Sequence, residues 1–147
     1  IKGAVQGEAT TTAKIPVELL KPYNEMLGVS NKWTWHHTLT LEASNGEKIY
    51  FVHQQSSNVL QVCAAVSMNV VQAHYHTKSC LHYISSPEKL MWAMNVGCLI
   101  NQKSQSFAYA KNFKTRFILG SAMIVDGYPK LLPMVLNNKG NWIGKLV

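Results

Sequence analysis

The clearest pattern along the chain lies between residues 33 and 53. Trp33, Trp35, His37, Leu39 and Leu41 alternate with Thr34, His36, Thr38, Thr40 and Glu42. Period two with aromatic and β-branched residues predicts a half-buried strand. Asn45-Gly46 follows, and residues 48–53 read as the return strand. Asn-Gly between two strand patterns predicts a hairpin closed by a type I′ turn, in which both central residues take positive φ. The alternation places Trp35 and Leu39 toward the core and Thr38 and Thr40 toward solvent.

Before the hairpin, the pattern breaks at Pro16 and Pro22. A short helix is expected over 22–27, with Pro22 in its first turn and Gly28 as its C-cap. Residues 1–13, small and polar, read as an extended arm. Residues 59–66 fit helix or strand. From Val66 onward a strand is favoured, with Val66, Met68, Val70, Gln72, His74 and His76 on one face. Ser86-Pro87-Glu88 carries a hydroxyl cap, a first-turn proline and an acid, and Leu90, Met91, Met94 and Cys98 follow at helical spacing. These signals predict a main helix over about 87–100. Strands are expected over 106–119, 121–125, 130–136 and 141–146. The turns between the last three are Asp126-Gly127-Tyr128-Pro129 and Asn137-Asn138-Lys139-Gly140. Pro133 inside its run marks an edge strand or a bulge. The sum is an α+β fold: an antiparallel β-sheet or sandwich with one main helix and a short N-terminal helix. Strands do not alternate with helices and no G-x-G-x-x-G or P-loop occurs, so a dinucleotide-binding fold is not expected.

The length of 147 residues suits a single domain over 1–147. No apolar run reaches the roughly 20 residues that a membrane-spanning helix needs. Residues 1–13 lack the basic start and apolar stretch of a signal peptide, and Ile1 suggests a trimmed chain. Cys63, Cys80 and Cys98 are odd in number and have no C-x-x-C spacing. A disulfide framework is not expected. Small buried cysteines in a reducing, intracellular compartment, cytoplasm or virion, fit better.

Charge changes the picture more. The net charge is +7, from 13 Lys and one Arg against 7 acids. Residues 1–88 carry six Lys and six Glu, which cancel. Residues 89–147 carry seven Lys, Arg116 and a single acid, Asp126, so the whole excess lies there. One-sided basic charge points to an anionic partner, nucleic acid or an anionic membrane surface. Near absence of Arg argues against reading of base edges in duplex DNA. Lysines suit diffuse, salt-sensitive contact with a polyanion. Residues 103–117 interleave charge with rings. Lys103, Phe107, Tyr109, Lys111, Lys114 and Arg116 are therefore the candidate nucleic-acid contacts. Residues 105–112 partly resemble the aromatic strand of RNA-recognition motifs, without its opening basic residue or final aromatic.

All six histidines fall between positions 36 and 82. His74 and His76, at i and i+2 on a strand, would share one face as two ligands of a zinc ion. His82, His53 or Cys80 would be the third ligand. No carboxylate accompanies them. Thr34-Trp35-His36-His37 is similar to a four-residue signature of His-containing nucleases in bacterial toxin modules. The downstream pattern is absent, since Lys78-Ser79 follow His76-Thr77, and we read the match as chance. No G-x-S-x-G elbow occurs, and Asp126 is the only Asp.

Few acids, many lysines and a strand-rich chain fit a non-enzymatic structural or binding protein. It is expected to form a homo-oligomer and to contact RNA, single-stranded DNA or an anionic membrane through its basic C-terminal portion, with no resident cofactor. Small viral matrix, coat or accessory proteins share this composition. The alternative is a His-based metal-dependent nuclease or hydrolase, and a third reading is an interaction module without a polyanion partner.

Overall fold

A computed structural model describes residues 21–101 and 116–147. Contacts divide the chain at His36–His37 into two compact units. In the first, helix α1 (Tyr23–Leu27) follows Pro22 and ends at Gly28, whose φ of 62° lets the chain reverse. The indole N–H of Trp35 donates to Asn24 Oδ1. Its ring meets Tyr23 at 5.3 Å and Trp33 at 6.5 Å between centroids. Trp35 is 43% exposed and lies outside any strand, so its expected place in the core is corrected.

The second unit holds strands β1 (Thr38–Glu42), β2 (Lys48–Val52), β3 (Asn69–Gln72), β4 (Ser79–Ser85), β5 (Leu90–Val96), β6 (Gly120–Val125), β7 (Tyr128–Leu136) and β8 (Trp142–Leu146). Helix α2 (Val59–Val66) joins β2 to β3. The β-rich, helix-poor content is that of an α+β chain. One sheet runs β1-β2-β3-β5-β4 and a second runs β6-β7-β8. β2, β3 and β5 are mutually parallel, whereas β1 and β4 are antiparallel to their neighbours. The larger sheet is thus mixed, not antiparallel as expected.

The hairpin forms with Thr40 opposite Tyr50 and Glu42 opposite Lys48. Its turn differs from type I′. Only Gly46 has positive φ, at 81°. Gly46 N–H donates to Ala43 O and Ala43 N–H to Glu47 O, each at 2.9 Å, a three-residue loop with a left-handed glycine at its end. β1 is an edge strand with all five residues exposed, and Leu39 is 38% exposed. Among the described residues no layer covers its apolar face, so the expected burial of Leu39 is corrected.

The expected helix over 87–100 is a strand. Five consecutive residues from Met91 to Asn95 are buried, which needs cover on both faces and suits a central strand better than one helix face. The cap signal belongs to a tight turn. Ser86 Oγ accepts from Lys89 N–H at 3.1 Å, and Ser86 N–H donates to Lys89 O at 2.9 Å. The helix forms earlier, over Val59–Val66. Asn58 caps it by accepting from Leu60 N–H, and Val59, Val62 and Cys63 bury one stripe.

Two apolar clusters flank the mixed sheet. Val59, Val62 and Cys63 of α2 pack on Val70, Met91 and Ala93. On the other side Ile49, Trp92 and Met94 meet Ala122, Ile124 and Leu131 of the second sheet. The Trp92 indole donates to Gly127 O at 3.1 Å, tying β5 to the β6–β7 turn. Gly97, φ 78°, lets β5 pass Ile118: a Cβ there would lie 2.6 Å from the Ile118 carbonyl oxygen. Pro133 sits on the central strand of the second sheet, opposite Gly120, and not on an edge. The register shifts just beyond it, between Met134 and Leu136. Among the described residues, no helix is long and apolar enough to cross a membrane.

Candidate functional site

The parallel strands β2 and β3 end level, with Val52 opposite Gln72. The residues just beyond them therefore meet. His53 Nε2 lies 3.2 Å from His74 Nδ1, a hydrogen-bonded pair in which one ring donates to the other. His76 follows, its ring centroid 6.2 Å from that of His74 and 5.1 Å edge-on from the buried ring of Phe117. His74 holds φ at 80°, an uncommon backbone state for a residue with a side chain. Partial burial lowers the pKa of His53, and charge on His74 and His76 lowers it further. Burial, then charge on His74, lowers that of His76.

A buried amide holds this arrangement. Gln72 is fully buried, and its Oε1 accepts from the N–H groups of Gln55 and Ser56 at 3.1 and 3.3 Å. Its Nε2 donates to Ser56 O at 2.8 Å and to Asn95 Oδ1 at 3.0 Å. The loop after His53 is thereby pinned to the sheet. Lys78 covers the flank, donating to Ser57 O at 2.5 Å with its ammonium 5.2 Å from the centre of the Tyr75 ring. An apolar cleft of about 370 Å³ opens at the same carboxyl-terminal ends, lined among others by Phe51, Ala73, Val96, Gly97 and Cys98.

The expected zinc ligands are placed differently from the sequence reading. β3 ends at Gln72, so His74 and His76 do not share a strand face, and His74 turns to His53 instead. His82 is exposed on β4, and Cys80 accepts from Asn95 Nδ2 at 3.5 Å. Among the described residues no three His, Cys, Asp or Glu side chains are placed to hold a metal ion. The donor set does not fit a three-ligand zinc site.

Of the expected nucleic-acid contacts, Lys103, Phe107, Tyr109, Lys111 and Lys114 lie outside the described residues. Arg116 is exposed, whereas its neighbour Phe117 is buried core and offers no free ring face. The second sheet supplies what the sequence reading passed over. Ala122, Ile124 and Leu131 face the core, so alternation puts Met123, Val125, Tyr128 and Lys130 on the opposite face. Trp142 pairs with Leu136 and Leu146 with Met134, both even-numbered like Lys130, with a register shift between the two pairs. Tyr128 is 72% and Trp142 52% exposed. Beside Trp142 lies a cleft of about 470 Å³ lined by Ile100, Asn101, Leu119, Lys139, Gly140 and Asn141. The available signal was the run from Leu131 to Leu136, apolar on both alternating faces, more than one covered face needs.

In comparisons with known proteins, no family model, no curated protein and no solved structure matches the chain.

Proposed function

We propose that this chain is a non-enzymatic binding protein that contacts a polyanion through its basic C-terminal portion. One observation carries the reading. Lys89, Arg116, Lys130, Lys139 and Lys145 are all exposed, and among the described residues none of them forms an ion pair. The only acid of that portion, Asp126, accepts from the Ser44 hydroxyl at 3.2 Å and balances none of them. Unpaired charges of one sign repel and contribute nothing to folding, so an anionic partner accounts for them better than stability does. Self-association is part of the same proposal, supported by β1 and β8, which are edge strands among the described residues. A small viral structural or accessory protein within a reducing compartment remains the class that the composition fits.

The metal-dependent hydrolase is the weaker reading, because His53 and His74 pair with one another and, among the described residues, no carboxylate completes a metal-binding group with them. A titration against RNA, single-stranded DNA and phosphatidylserine vesicles over a range of salt tests the proposal. Affinity that falls steeply with salt supports it, and no binding to any of the three refutes it.

A further inference from the structure

We propose that the outer face of the β6–β7–β8 sheet is a stacking platform for single-stranded nucleic acid, with one nucleotide seated in the cleft at Trp142. The inference rests on the polyanion reading and names its substrate. The Trp142 indole N–H donates to Lys145 O at 2.8 Å, which orients the half-exposed ring before any ligand arrives. The turn that carries the charge is equally fixed: Lys139 and Asn141 both donate their backbone N–H to Asn137 Oδ1, at 2.9 and 3.0 Å. A preformed ring and turn spare a ligand the ordering cost of binding.

The chemistry of the cleft selects the occupant. A base stacks on Trp142, its polar edge meets the amide group of Asn141, and Lys139 faces the phosphate. Arginine is dispensable here, because stacking and charge, not bidentate edge reading, supply the contact. A bilayer has no use for a concave site with an amide at its rim, and its acyl chains gain nothing from an indole held in place by a hydrogen bond. From the cleft, the same face continues along β7 past Lys130 to Tyr128. Tyr128 is eight residues from Leu136, the partner of Trp142, or about 26 Å at about 3.3 Å per residue. That span suits the short end of single-stranded sites, which run from roughly 4 to 16 nucleotides.

The test compares a labelled short oligo-uridine, heparin as a polyanion without bases, and phosphatidylserine vesicles, each with the full chain. Trp142→Ala is expected to weaken oligo-uridine binding about ten-fold, equivalent to about 1.4 kcal/mol, and to leave heparin binding within about two-fold. Trp142→Phe should restore most of the loss, and Tyr128→Ala, at an exposed strand start, should weaken oligo-uridine alone. Lys139→Gln should weaken both ligands alike. If oligo-uridine and heparin respond equally to Trp142→Ala and Tyr128→Ala, the stacking platform is wrong and the polyanion reading stands. Vesicle binding without oligo-uridine binding also overturns the platform, in favour of a membrane. Binding to none of the three overturns both.

Discussion

Gln72→Met removes the amide at the centre of the polar network and keeps nearly the same side-chain length. In the native protein that amide satisfies two backbone N–H groups, one backbone carbonyl and the Asn95 side chain. Gln55 is exposed and Ser56 only half-buried, so water reaches some of the groups left behind. Asn95 is not reachable: it is buried, and its remaining bond is a long one to Cys80 Sγ. Buried polar groups left without partners cost about 1–3 kcal/mol each, and one to two such groups remain, so the loss is about 1–6 kcal/mol with a centre of about 3 kcal/mol. At about 2–4 °C per kcal/mol that central loss lowers the midpoint by roughly 6–12 °C. Urea unfolding followed by tryptophan fluorescence measures the first, and calorimetry the second. A second consequence is local, since the loop carrying His53 loses its anchor: amide exchange at Gln55 and Ser56 should accelerate before global unfolding. A Met variant within about 0.5 kcal/mol of the parent would refute the account of the network, because that is the scatter of surface substitutions.

Gly97→Ala forces a side chain into positive φ and against the Ile118 carbonyl, so it should cost at least about 1–2 kcal/mol by urea titration. An unchanged unfolding midpoint would show that the β5 exit is not tight. The pKa values of His53 and His76 are lowered in the fold below the ordinary 6.5, so the folded state binds fewer protons than the unfolded chain. Their contribution is present in full above pH 6.5 and is lost as pH falls through the depressed values; stability should therefore be lower at about pH 5 than at about pH 7.5. Replacing both by Gln should flatten that dependence, and a parent whose stability ignores pH in this window contradicts the pairing. Burial pushes the Cys63 thiol up, and its Sγ–H donates to Met68 O at 3.2 Å. Cys63 should resist a thiol reagent until the protein unfolds, as followed by mass spectrometry, and prompt native labelling would show that α2 opens readily.

What was legible in the sequence was local. The β1–β2 hairpin, the short helix ending at Gly28 and the last three strands each carry a period or a turn residue that fixes them. The run from Leu90 to Val96 deceived because it is apolar at nearly every position. Helical spacing is found in any such run, and Ser86-Pro87-Glu88 closes a turn as well as it opens a helix. The parallel pairing of β2 with β3 was hidden for a related reason. Residues 59–66 are apolar enough for strand or helix, and only the Asn58 cap and the burial of one stripe decide it. The site was less legible than the fold. His53 and His74 stand 21 positions apart and meet only because two parallel strands end level. The same-face reading of His74 and His76 failed because β3 stops two residues short of His74. Tyr128 falls in a turn signal and Trp142 inside a strand pattern, and neither reads as a site residue from the sequence alone.

The central claim is that the unpaired cations of the C-terminal portion bind a polyanion. Its most direct test is the salt dependence of oligo-uridine and heparin binding by the parent and by a variant with Lys130, Lys139 and Lys145 replaced by Gln. The parent should show affinity falling linearly on a log-log plot. The variant should keep its melting temperature and lose roughly 0.7–0.9 in slope for each phosphate contact removed. Binding that ignores salt, or a variant whose slope matches the parent's, would contradict the account.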